Sequence, residues 1–171
     1  GTSLAEFAAS ISRSLAKSTL AAKVDGKVVD LCVKLESDAK VEFVTFEDAE
    51  GKDTFRHTSS HIMAQAIKRL FPEVKLAIGP SIEDGFYYDI DSDEPITAED
   101  LPKIEAEMKK IVKENLAITR FTKPRAEAIE FFKEKNEPYK VELIEDLPED
   151  AEISFYQQGE FVDLCAGPHL K

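Results

Sequence analysis

Thr54-Phe55-Arg56-His57-Thr58-Ser59-Ser60-His61-Ile62-Met63-Ala64-Gln65-Ala66-Ile67-Lys68-Arg69-Leu70-Phe71-Pro72 is the stretch on which the fold turns. Ile62, Met63, Ala66, Ile67 and Leu70 recur at helical spacing, so one apolar face is expected. Thr54 is a good N-cap type and Pro72 marks the end. The same helix carries His57 and His61. Four residues apart, they fall on one face, one turn from each other.

Upstream, Leu4, Phe7, Ala8, Ile11 and Leu15 predict a helix over 4–15. Val24-Asp25-Gly26-Lys27 between β-formers predicts a hairpin, because that turn needs positive φ. Val41 to Phe46 reads as a strand. The polar run Asp48 to Asp53 reads as a linker, and a domain boundary is placed there. Downstream, Leu76-Ala77-Ile78 and Phe86-Tyr87-Tyr88 are expected strands. Thr97 to Asp100 resembles a capping box opening a helix with Leu101, Ile104, Met108 and Ile111 on one face. Residues 116–122 are an expected strand, 124–135 a helix, 139–144 a strand, and 155–162 a hairpin. The sum is an α+β protein in two pieces.

The chain has 171 residues and a net charge of −12, which disfavours charge-driven binding of nucleic acid in general. The charge is uneven: residues 109–140 hold nine Lys/Arg against five Glu, while residues 81–108 hold ten acids and one Lys. A basic stripe over Lys109 to Lys140 could meet one RNA strand, although a solvated helical surface has the same composition. No apolar run is long enough to span a membrane and no signal peptide is visible. Two cysteines do not make a disulfide framework, so a reducing cytoplasm is expected. Cys32, in an apolar run, is expected in the core.

The third histidine, His169, follows Cys165 at the same four-residue spacing in Cys165-Ala166-Gly167-Pro168-His169. The two pairs together use every histidine in the chain. His57, His61, Cys165 and His169 suit a tetrahedral zinc site. They equally suit metal-free acid–base work, for which imidazole is the natural proton carrier near neutral pH. Lys140 and Asp163 are less distinctive, and residues of their types are more often surface charges. There is no phosphate-binding Gly-rich loop and no Gly-x-Ser-x-Gly elbow.

Read in order, Arg56-His57-Thr58-Ser59-Ser60-His61, Ala77-Ile78-Gly79-Pro80, Gly85-Phe86-Tyr87-Tyr88-Asp89, Tyr139-Lys140 and Val162-Asp163-Leu164-Cys165-Ala166-Gly167-Pro168-His169 resemble the editing domain of bacterial-type threonyl-tRNA synthetases. The leading region resembles a TGS domain. The resemblance implies a partial β-grasp (TGS-like) module over 1–50, N-terminally incomplete. An α/β two-layer editing domain of the threonyl/alanyl second-additional-domain type would follow over 51–171. It implies hydrolysis of mischarged seryl-tRNA(Thr) at its 3′-terminal ester, with threonyl-tRNA spared. His57, Lys140, Asp163, Cys165 and His169 would be catalytic, and His61, Asp163 and Tyr88 would bind substrate. Water would be positioned rather than activated by a required zinc. Expected partners are the serine-bearing acceptor end of tRNA(Thr) and the remaining synthetase domains, in a full-length homodimer. ATP and the aminoacylation zinc would belong to a catalytic domain outside this chain, so no ligase activity is expected of it alone. The competing readings are an RNA- or partner-binding module without hydrolysis and a structural zinc domain.

Overall fold

A computed structural model describes residues 1–171 as two compact units. One comprises Gly1–Thr58 with Gly167–Lys171, the other Ser59–Ala166, and the division falls inside one continuous helix.

In the first unit, β1 (Thr2–Ser3) leads into α1 (Leu4–Ile11). Ser3 and Glu6 form a reciprocal capping box: Glu6 N–H donates to Ser3 Oγ at 3.2 Å, and Ser3 N–H donates to Glu6 Oε2 at 2.9 Å. The helix expected over 4–15 is broken at Ser12, whose φ of −163° is extended. Its hydroxyl accepts from Leu15 N–H at 3.0 Å and so caps a second helix, α2 (Arg13–Ser18). Serine competes with the helix for backbone partners, and here the cap wins.

The expected hairpin joins β2 (Thr19–Val24) to β3 (Lys27–Val29), with Asp25 at φ 49° and Gly26 at φ 85°. Both central residues have the positive φ that a type I′ turn requires. β4 (Lys34–Leu35) pairs with β1, and β5 (Val41–Thr45) pairs with β2 to give the antiparallel order β3-β2-β5. Leu4, Ala22 and Leu31 are buried beneath this sheet, with Val41 and Phe43 packed around them. Cys32 is exposed, which corrects the expectation of a core cysteine. The turn after β3 sends Asp30 and Leu31 inward and leaves the next residue outside.

The polar stretch over 48–53 is not a linker: α3 runs Ala49–Leu70 and takes in almost all of it. Asp48 ends the strand and starts the helix, accepting Thr45 N–H at 2.8 Å while its carbonyl accepts Lys52 N–H. Thr54, expected as the cap, instead donates to Glu50 O at 2.8 Å from inside the helix. Gly51 fits because a Cβ there would stand 1.8 Å from Thr45 O.

In the second unit, β6 (Lys75–Leu76) pairs with β9 (Ile90–Asp91), and β7 (Ser81–Ile82) with β8 (Gly85–Phe86). Between them Ala77 N–H donates to Asp89 O and Asp89 N–H to Ile78 O, so residues 75–91 form one interrupted hairpin. Its regular strands are shorter than the apolar runs foretold. α4 (Leu101–Glu114) starts after Asp100, whose carboxylate accepts Thr97 N–H at 3.0 Å, and stops at Asn115 in the left-handed region. β10 (Ile118–Thr122), β11 (Ser154–Gln158) and β12 (Phe161–Leu164) make an antiparallel sheet in that order.

α5 (Arg125–Glu134) and α6 (Pro138–Asp146) lie between β10 and β11 in sequence. The strand expected over 139–144 is therefore helical. Pro138 pre-sets φ at the first helical positions, and Lys140 and Ile144, one turn apart, are the buried pair. The alternating Tyr139, Val141 and Leu143 imitated a strand period.

One core gathers Ala64, Ile67, Leu76, Ile104, Ile111 and Phe161. Another gathers Ala128, Phe132, Ile144, Ile153 and Phe155, with Phe121 stacked on Phe155 at 5.0 Å. Arg69 ties the elements together by bonding Glu107, Glu114 and Glu160, and it holds the Glu160 carboxyl at about 2. No helix is long and apolar enough to cross a membrane.

Candidate active site

The second unit buries a polar network that the apolar pattern does not require. Lys140 lies in the first turn of α6 with 3% of its surface exposed, and Asp163 lies on β12 with 2%. Neither is a surface charge, as the sequence statistics for these residue types had favoured. The Lys140 ammonium donates to Asp163 Oδ1 at 2.7 Å, to Ala77 O at 2.6 Å and to Tyr88 Oη at 2.9 Å. Its three donors thus all find acceptors. Tyr88 donates in turn to Asp163 Oδ2 at 2.6 Å.

His61 Nε2 stands 3.7 Å from the same Oδ2, with its ring edge-to-face on Phe161. The remaining donor to Asp163 is Leu164 N–H, at 2.8 Å to Oδ1. Burial alone would push the Asp163 carboxyl up. Lys140, His61 and Tyr88 together outweigh it and hold the group below the ordinary carboxylate range. Burial and the neighbouring Asp163 charge push the Tyr88 phenol well above its usual value.

Backbone geometry places these groups. Tyr88 projects from the interrupted hairpin, and its ring lies over Gly79, where a Cβ would come within 2.1 Å of the ring. Gly79→Ala is therefore expected to displace Tyr88 from Asp163 and to destabilise the protein by about 1–3 kcal/mol; denaturant melts measure this. Ser60 fastens the same hairpin to α3 by donating to Gly79 O at 3.0 Å. Lys140 and Asp163 also line a cleft of about 600 Å³, together with Gln65, Lys68, Phe132 and Phe161. The network is thus buried yet adjacent to space that a ligand can enter.

Cys165 follows β12, and its N–H donates to Ser154 O at 3.0 Å. Ser154 Oγ donates back to Cys165 O at 2.6 Å, which fixes the chain there. Ligand atoms of His61 and Cys165 lie within 4.8 Å of one another.

In the first unit, His57 of α3 lies against His169, with ring centroids 4.3 Å apart and ligand atoms within 4.8 Å. His169 is 1% exposed. Its Nδ1 lies 2.9 Å from Thr58 Oγ1, and its backbone N–H donates to Asp30 Oδ1 at 2.6 Å. Each His/Cys or His/His pair thus draws one member from α3, and the two α3 histidines are four residues apart. Thr58 and Asp30 escaped the sequence reading. Thr58 sits between the histidines with no distinguishing signal, and Asp30 is 139 residues from its partner.

The basic stripe is less basic than its composition. Lys109 pairs with Glu105 at 2.6 Å, Lys110 with Glu107 at 3.8 Å and Lys133 with Glu130 at 3.3 Å, each within its own helix. Lys140 is consumed by the buried network.

Comparison with known proteins gives the context of this geometry. The TGS domain family matches residues 1–45. The threonine–tRNA ligases of Clostridium kluyveri and Clostridium novyi are each 63% identical over 170 residues, 99% of this chain. That of Acetivibrio thermocellus is 60% identical over all 171 residues. The chain spans 27% of the length of these curated relatives.

Proposed function

We propose, from the premise that this chain is homologous to the TGS-bearing N-terminal region of threonine–tRNA ligases, that it is the proofreading part of such a ligase. It removes serine from mischarged tRNA(Thr) by hydrolysing the 3′-terminal ester. The observation that carries this reading is the buried Lys140–Asp163–Tyr88 network beside His61, opening onto a cleft. Burying two opposite charges costs several kcal/mol in desolvation that a plain apolar contact avoids. Such groups are characteristic of sites that do chemistry.

The need is physical. Threonine and serine differ by one methyl, and a pocket favouring the larger side chain gains only about 10–200-fold from it. A second site that rejects the methyl by shape supplies the remainder. Water adds to the ester carbonyl, the tetrahedral intermediate expels the ribose oxygen, and that oxygen takes up the proton that water gave. The products are serine and a free 3′ end.

Lys140, held on three acceptors, offers a fixed positive charge near the carbonyl oxygen as negative charge develops there. By the same resemblance His57 and His169 of the first unit, and Cys165 of the second, are the groups that would orient the water and move its proton. Asp163 has both oxygens engaged, so a seryl ammonium would displace its loosest neighbour, His61 at 3.7 Å. The tRNA end approaches on the less acidic side, using some of the basic residues from Lys109 onward other than the enclosed Lys140.

The donor set of His57, His61, Cys165 and His169 fits zinc in kind. Bound there, zinc would polarise the carbonyl or the water. Protonated and neutral imidazoles supply the same proton chemistry without it. Hydrolysis of seryl-tRNA is therefore expected to survive exhaustive chelation. Loss on chelation with recovery on adding zinc would assign the metal an essential role. The function itself is tested by incubating the purified chain with seryl-tRNA(Thr) and following release of serine. Binding of the tRNA with no release would favour a recognition module.

A further inference from the structure

His169 is held from two directions by residues that no reading of the motifs assigned. We infer that Thr58 and Asp30 are positioning residues for His169, and that Thr58 determines which ring nitrogen carries the proton. This deepens the proposed hydrolysis and rests on that reading for its functional consequence, although not for its structural one.

Thr58 and His169 are buried, at 2% and 1% exposed. The Thr58 oxygen accepts Leu170 N–H at 3.1 Å. The hydroxyl proton is then directed to its other neighbour, His169 Nδ1, at 2.9 Å. A hydroxyl has one proton to give and two lone pairs, so if Nδ1 carried a proton the oxygen would accept twice and its own proton would reach neither neighbour. His169 Nδ1 is accordingly an acceptor, and the neutral ring keeps its proton on Nε2.

The Asp30 carboxylate accepts the His169 backbone N–H at 2.6 Å, a short charge-assisted bond that fixes the main chain carrying the ring. The His57 ring, 4.3 Å away, limits rotation on one side. With orientation and tautomer both set, the one proton of the neutral ring sits on Nε2, on the side of the ring away from Thr58. The carboxylate belongs to the turn after β3, within the region matched by the TGS family. That region therefore supplies part of the support of His169.

The test uses the full chain labelled with ¹⁵N-histidine at a pH where the rings are neutral, with the His169 signals assigned by His169→Gln. Wild type is expected to show Nε2 protonated and Nδ1 bare. Thr58→Val, nearly isosteric, is expected to shift His169 to a mixture of tautomers, and Thr58→Ser to restore the wild-type pattern. Asp30→Asn should leave the tautomer unchanged but broaden the His169 signals.

In hydrolysis of seryl-tRNA, Thr58→Val and Asp30→Asn are expected to lower kcat by roughly 10–100-fold, the usual effect of losing an orienting partner. KM should stay near wild type, and Thr58→Ser should recover the rate. A wild-type ring protonated on Nδ1, or a tautomer indifferent to Thr58→Val, would overturn the inference. A chain showing the expected tautomers but hydrolysing nothing would instead count against the proposed function and leave the tautomer assignment standing.

Discussion

Asp163→Asn is expected to lower the free energy of unfolding by about 3–5 kcal/mol, the usual consequence of leaving one member of a buried ion pair uncompensated. The amide keeps the shape of the carboxylate but withdraws its charge from Lys140, which is bonded at 2.7 Å and almost wholly enclosed. Urea melts of the two proteins at neutral pH measure the difference. The combined Lys140→Met, Asp163→Leu variant should recover much of it, because an apolar pair of similar volume needs no desolvation of charge. The acid limb gives an independent check. The folded Asp163 carboxyl lies below its ordinary value, so between the folded and unfolded pKa the unfolded chain binds more protons. The stability it contributes is full above the unfolded value of about 4 and is lost as pH falls through the lower folded one. Wild type should steepen its loss of stability below about pH 4, and Asp163→Asn should lack that part of the slope. Equal stability of the two at pH 7 would mean that the network carries little energy.

Lys140→Met is expected to reduce the rate of seryl-tRNA hydrolysis by about 10²–10³-fold, the range found when one fixed electrostatic partner of a developing oxyanion is removed. Methionine is a good helix former of similar length, so α6 should persist. The variant also leaves Asp163 with only Tyr88, His61 and the Leu164 amide, and some stability will be lost with the rate. Single-turnover assays well below the melting transition separate the two effects. A Lys140→Met chain that folds and hydrolyses at the wild-type rate would remove Lys140 from the chemistry and leave it a structural cation.

The parts of the fold that could be read from the sequence are those where a local rule had no rival. Asp25-Gly26 admits few alternatives to a hairpin turn, and the turn is there with both φ values positive. The apolar face over 62–70 and the hairpin at 155–162 likewise followed their periods. Errors arose where two rules competed. Ser12 sits inside a helical period yet prefers to cap, and it splits the helix. Tyr139 to Ile144 fits a strand period by alternation, but Pro138 starts a helix that buries Lys140 and Ile144 on one side.

The buried charges were illegible for a different reason. A lysine in a tyrosine-lysine-valine context carries no mark of its burial; that depends on Tyr88, Ala77 and Asp163, which are separated from it by 52, 63 and 23 positions. The spacing of the histidines and Cys165 raised the question of a shared site. The partners of His169, Thr58 and Asp30, become apparent only in three dimensions.

The proofreading reading stands or falls on discrimination by one methyl group. The decisive measurement compares single-turnover deacylation of seryl-tRNA(Thr) and threonyl-tRNA(Thr) by the same preparation, under the same conditions. Forcing one extra methyl into a close-fitting pocket costs about 1–3 kcal/mol, so the seryl ester is expected to hydrolyse roughly 5–150-fold faster. Equal rates on the two esters, from folded protein whose His57→Ala variant is slowed, would contradict the sieve while leaving an esterase.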